Sequence, residues 1–201
     1  MRNVFWIAVV VIVVGLGAWF FVSKHESPQS TTSTLSETQT TPPLTKTTMQ
    51  ISSPAFLDSQ SIPEQYSCEG AGISIPLNFS GVPTDAKSLA LIMQDPDVPK
   101  NLLPSGLFVH WVVFNIPTST VAIPENTTPP GIQGNNGAGK PMFTPPCPPD
   151  KEHRYFFTLY ALDTMLDLKQ GASKDEVEQA MQGHILEQAQ LIGLYNKKPN
   201  R

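Results

Sequence analysis

Hydrophobic and polar positions divide the chain into three stretches. The first, VFWIAVVVIVVGLGAWFFV (4–22), runs 19 residues without a charge, close to the ~20 that cross a bilayer as a helix. Trp6 and Trp19 near its ends suit the two membrane interfaces. A cleaved signal peptide is the competing reading, but its apolar region is usually only ~7–15 residues, and Trp19-Phe20-Phe21 is a poor cleavage context. The second stretch, SPQSTTSTLSETQTTPPLTKTT (27–48), is almost all Ser, Thr, Pro and Gln. It has no apolar face to bury and reads as a disordered tether. These two stretches predict one transmembrane helix within 1–25, a linker at 26–49 and a folded domain at 50–198. They place the domain outside the cytoplasm, membrane-anchored, or secreted if the N-terminal segment is cleaved.

In the third stretch the apolar runs shorten. SLALIMQ (88–94), FVHWVVFNI (108–116) and RYFFTLYAL (154–162) are each bounded by Pro, Gly, Asn or Asp. Runs of that length and flanking read as strands, and their continuous apolarity as central strands covered on both faces. TSTVAIPENTTPPGIQGNNGAGK (118–140) reads as a long loop. Near the end the period changes. Val177, Ala180, Met181, Ile185, Ala189 and Ile192 recur at helical spacing. Ser173 is placed to cap a helix start, and Gly183 to separate two short helices. The expected fold is mainly β, a Greek-key β-sandwich with short C-terminal helices.

Composition narrows the function. Twenty prolines and thirteen glycines fit a turn-rich domain, and a formal net charge of −4 without a basic patch argues against nucleic acid. The only cysteines, Cys68 and Cys147, are either one disulfide or two buried thiols.

The candidate chemistry clusters at strand ends. DPDVP places Asp95 and Asp97 directly after the first strong strand, His110 lies inside the second, and His153 and Arg154 open the third. Just before them, PMFTPPCPP (141–149) holds five prolines in nine residues, a rigid loop with few N–H donors. Buried ionisable groups need partners, so these side chains are expected to pair with one another. Three functions fit the set: a zinc site, a His-Asp pair activating a nucleophile or water, and a receptor for an anion such as phosphate. Zinc lacks closely spaced ligands. Hydrolysis lacks a serine or cysteine in a nucleophile turn, since Cys147 is wedged among prolines.

DPDVP, HWVVFNIP and PPCPPDKEHRYFFTLYALD together resemble the phosphatidylethanolamine-binding protein family, also called Raf kinase inhibitor proteins. YSCEGAGISIPLNF (66–79) and GHILEQAQLIGLY (183–195) resemble its bacterial and archaeal YbhB/YbcL-like branch. The resemblance implies a β-sandwich with a small anion pocket built from Asp95, Asp97, His110, Pro146, Pro148, Pro149, His153, Arg154 and Tyr155. It implies a binding module for phosphate or a phosphoethanolamine-like headgroup, with no catalytic residue, metal or cofactor. A protein-interaction role, as a protease or kinase inhibitor working through 118–140, is the alternative, and a weak hydrolase using the His/Asp cluster comes third. The chain departs from the family pattern at Pro145 (usually Gly), Phe143 (commonly Tyr) and Val98 (usually Ala).

Overall fold

The computed structural model describes residues 48–198. In chain order they form β1 (Gln50–Ser52), β2 (Gln60–Ser61), β3 (Leu77–Ser80), β4 (Ser88–Asp95), β5 (Phe108–Ile116), β6 (Ala122–Ile123), β7 (Ile132–Gly134), β8 (His153–Leu162), α1 (Lys174–Met181) and β9 (Ile185–Tyr195), with a 3-10 turn at Glu64–Tyr66. One sheet has the order β1-β3-β6 and the other β2-β9-β8-β4-β5-β7.

The larger sheet is buried on both faces. Leu89, Leu91 and Met93 of β4 point to one side with Trp111, Val113 and Phe157, and meet Ile51, Leu77 and Phe79 of the small sheet. Ala90 and Ile92 point to the other side with Val112 and Phe114, and are covered by Val177 and Met181 of α1. The unbroken apolar runs of the central strands follow from this double coverage. Each large side chain removed from water contributes on the order of 2 kcal/mol.

Three expectations change. Among the described residues no helix is long and apolar enough to cross a membrane. The fold class is corrected accordingly: the transmembrane helix is not part of it, and the 4–22 run that prompted it lies outside the described residues, as does most of the 26–49 linker.

The C-terminal pair of helices is the second correction. Ser173 does cap α1, in a reciprocal capping box with Glu176. The helix ends at Met181, and Gly183 turns the chain at φ +79°. From Ile185 onward the chain is a strand paired antiparallel with nearly all of β8. Its buried positions are Leu191, Gly193 and Tyr195, a period of two. The helical spacing of Ile185, Ala189 and Ile192 was coincidental, and long-range pairing with β8 overrides it. Gly193 is required by packing, because a Cβ there would stand 2.6 Å from the Ile62 side chain.

Third, the 118–140 segment is not one loop. Its β6 pairs with β3 in the small sheet and its β7 with β5 in the large one.

Candidate functional site

Strand alternation sorts the ionisable residues. On β8, His153, Tyr155 and Phe157 point inward, and Arg154 and Phe156 point outward. On β4, Asp95 continues the inward series of Leu91 and Met93 and is 3% exposed.

His110 reaches the same place by a different device. β4 and β5 pair Met93 with Trp111 and then Gln94 with Val109, a register shift that leaves His110 as an extra residue. Strict alternation would put His110 on the α1 side with Val112 and Phe114. The bulge turns it the other way, a common use of bulges. Its ring lies edge-on to Phe108 at 4.9 Å and to Tyr155 at 5.2 Å.

His153 is fully buried between two carboxylates. Nδ1 donates to Asp95 Oδ2 at 2.7 Å and Nε2 to Asp150 Oδ1 at 2.8 Å. With both ring nitrogens donating, the ring is an imidazolium. Burial opposes that charge, but the bonds to Asp95 and Asp150 outweigh it and hold the pKa above the ordinary histidine value. The second oxygen of Asp95 accepts from the backbone N–H of Asp97 at 2.8 Å.

His110 is the opposite case. Its Nδ1 lies 2.8 Å from the Thr144 carbonyl. A carbonyl only accepts, so the proton sits on Nδ1 and Nε2 keeps its lone pair. Burial pushes this pKa down to about 4, so His110 is neutral at neutral pH. Tyr155 is pushed up, first by burial and then by the Asp95 charge. Its hydroxyl is buried without a hydrogen-bond partner.

Asp97 and Arg154 form a separate pair at the rim. Arg154 Nε and Nη2 reach the two Asp97 oxygens at 2.8 and 2.6 Å, and the Arg154 backbone N–H adds a third bond at 3.0 Å. Chiefly through the guanidinium hydrogen bonds, the Asp97 pKa falls to about 2. The Arg154 guanidinium also lies 5.4 Å from the Phe156 ring centre.

The proline loop is tied down at three points. The Thr144 N–H donates to the His110 carbonyl at 2.9 Å, and the Cys68 N–H to the Pro146 carbonyl at 3.0 Å. Cys68 and Cys147 are joined by a disulfide with Cα atoms 5.4 Å apart. It closes a separation of 79 residues, which on the chain-entropy account stabilises by about 4 kcal/mol.

These parts enclose a cavity of 190 Å³ lined by Asp95, Val98, Phe108, His110, Thr144, Pro145, Cys147 and Pro149. Of the sequence-named residues, Asp95, His110 and Pro149 line it, and His153 and Tyr155 stand directly behind them. Pro146 and Pro148 are buried and do not line it. Asp97 and Arg154 pair beside it. Val98, noted from sequence only as a departure from the family pattern, lines it, and Phe108 and Thr144 line it without having been singled out. Phe108 was visible as the start of its strand run, but the bond of the Thr144 carbonyl to His110 Nδ1 is one that no side-chain pattern reveals. Pro145 stands on the wall and contributes no N–H. Phe143 packs edge-on to Trp111 at 5.5 Å. A larger hollow of 380 Å³ beside Trp111, Gln133 and Phe143 has no ionisable side chain in its lining, so the smaller cavity is the candidate site.

The phosphatidylethanolamine-binding protein family matches residues 52–196, and the chain belongs to that family, whose fold is a ligand-binding one. A UPF0098 protein of Chlamydia pneumoniae is 50% identical over 149 residues, covering 74% of this chain and 99% of the relative. A UPF0098 protein of the archaeon Methanothermobacter thermautotrophicus is 49% identical over 155 residues, again 74% and 99%. Among solved structures, the phosphatidylethanolamine-binding protein homologue CT736 of Chlamydia trachomatis aligns with a TM-score of 0.74 at 46% identity, covering 76% of this chain and 99% of that one. Escherichia coli YbcL, described as a member of the mammalian family, aligns with a TM-score of 0.67 at 29% identity, covering 75% and 99%.

The membrane-anchored placement outside the cytoplasm is corrected here. It rested on the 4–22 run, and no helix among the described residues is long and apolar enough to cross a membrane. The Chlamydia pneumoniae relative is matched over 99% of its own length by 74% of this chain, so that relative lends the anchor no support.

Proposed function

We propose that the chain is a binding module whose cavity takes one small phosphate-type group, free or at the end of a small molecule. The observation that carries this reading is an uncommitted polar group on a pre-formed wall, His110 Nε2, which has no bond while Nδ1 is held by Thr144, with the buried, unpartnered Tyr155 hydroxyl directly behind the wall. A buried polar group without a partner costs about 1–3 kcal/mol, and a ligand hydroxyl donating to Nε2 or a ligand oxygen accepting from Tyr155 would remove that cost. The cavity's 190 Å³ falls below the ~300–1,000 Å³ of sites for drug-sized ligands, so a headgroup fits and a lipid body does not. A binder rather than a catalyst is favoured because no nucleophile lines the cavity: Cys147 is disulfide-bonded, and Thr144 faces it as part of a hydrogen-bonded loop. A protein-inhibitor role has less support, since 118–140 contributes strands to both sheets rather than forming a free contact loop.

The test is calorimetric titration of the full chain with inorganic phosphate at pH 6, beside Tyr155→Phe. Saturable binding that weakens about tenfold in the variant, with an unchanged melting temperature, is the expected result. Absence of saturable binding, or equal affinity in the variant, overturns the reading.

A further inference from the structure

The cationic side chains around the cavity are all committed to carboxylates. Both N–H groups of His153 go to Asp95 and Asp150. Arg154 gives its Nε, its Nη2 and its backbone N–H to Asp97. The Asp97 N–H goes to Asp95, and the Thr144 N–H to the His110 carbonyl. Pro145 and Pro149 on the wall have no N–H, and Cys147 carries the one N–H between residues 145 and 149. What faces the cavity is two acceptors, the Asp95 carboxylate and the His110 Nε2 lone pair, and neutral donors only, the Thr144 hydroxyl and the Cys147 N–H, with the Tyr155 hydroxyl behind. The charges add the same bias. Asp95, Asp97 and Asp150 outnumber the His153 imidazolium and the Arg154 guanidinium, and every one of the cations is already paired.

Resting on the reading of this cavity as a phosphate-type site, we infer that it takes the ligand in its protonated form, a phosphate or phosphomonoester monoanion that brings its own P–OH. The P–OH donates to His110 Nε2 or Asp95, and the ionised oxygens of the same group accept from the neutral donors, the Thr144 hydroxyl and the Cys147 N–H on the wall and the Tyr155 hydroxyl behind it. A dianion has no proton to offer two acceptors and adds a charge where no unpaired cation answers it. A phosphodiester, the form of a phospholipid headgroup, likewise lacks a P–OH. His110 stays an acceptor over the working range because burial holds it near about 4. The groups facing it are Asp95 from β4, and His153 and Tyr155 from β8.

Methyl phosphate and methyl sulfate give a clean test, because at pH 5.5 they share shape and a single negative charge and differ by one proton. The full chain is titrated with each by calorimetry at pH 5.5 and 7.5. Methyl phosphate is expected to bind at least tenfold tighter than methyl sulfate at pH 5.5. Its affinity should fall about 25-fold by pH 7.5, following a second ionisation near ~6, while methyl sulfate stays flat. Equal binding of the two at pH 5.5 overturns the inference and leaves the anion site standing. So does methyl phosphate affinity that is flat with pH, or a parallel fall for both ligands, which would report His153 instead. If neither binds at either pH, the site reading itself falls, and this inference with it. Dimethyl phosphate at pH 5.5 separates the sources: binding as tight as methyl phosphate would restore the lipid headgroup and overturn the need for a P–OH.

Discussion

Asp95 and Asp97 stand two residues apart, and His153 and Arg154 are neighbours, yet they make two ion pairs of opposite character. Asp95–His153 is buried at 4% and 0% side-chain exposure, and Asp97–Arg154 sits at the rim at 19% and 54%. The difference arises from strand geometry. Alternation on β8 sends residue 153 inward and 154 outward, and the turn after Asp95 carries Asp97 to the edge. Asp95 of the inner pair lines the cavity and His153 stands behind it, and because both are buried each charge depends on its partner. The outer pair has better geometry and matters less, because solvent screens it. Proximity in sequence is thus a poor guide to energetic weight.

Asp95→Ala should separate the two pairs most clearly. It leaves the buried His153 imidazolium with Asp150 alone, and breaking a buried pair typically costs ~3–5 kcal/mol. A loss of about 4 kcal/mol in denaturant unfolding is expected. A loss below about 1 kcal/mol would show that His153 simply discharges and that the pair is not a structural unit.

The two histidines should give stability opposite pH slopes. The folded pKa of His153 is raised, so its contribution is complete below the unfolded value of ~6.5 and is lost as pH rises through the folded value. The folded pKa of His110 is lowered to about 4, so its contribution is complete above ~6.5 and is lost as pH falls toward 4, by roughly 3 kcal/mol at most. Thermal melts across pH 4–9 should therefore peak near pH 6.5. A melting temperature that keeps rising toward pH 9 would remove His153 from the argument.

Arg154→Ala tests the outer pair and should cost under about 1 kcal/mol, less at high salt. The Asp97 pKa of about 2 means that what the pair contributes is present above ~4 and fades as pH falls from there through about 2. A cost comparable with that of Asp95→Ala would erase the distinction between the inner and outer pairs.

Much of this molecule was legible as sequence. Continuous apolar runs in β4, β5 and β8 marked central strands, because burial on two faces suppresses alternation. Ser173 marked the start of α1 through local capping chemistry. The strand-end aspartates, the two histidines and the proline loop marked the neighbourhood of the cavity, because buried ionisable groups must find one another. These features are local in the chain or follow from a single pairing rule.

What tertiary structure alone decided is non-local. β9 was read as helix because Ile185, Ala189 and Ile192 happen to fall at helical spacing, and only hydrogen bonding along β8 makes that stretch a strand. The inward turn of His110 depends on a bulge against β4, and a bulge is a mismatch between two strands that neither strand encodes by itself. The choice between a disulfide and two thiols depended on whether a 79-residue separation closes to 5.4 Å. The commitment of the cations around the cavity to carboxylates emerged only when each N–H could be followed to its acceptor. Sequence names the groups able to bond, and the fold determines which of them remain free for a ligand.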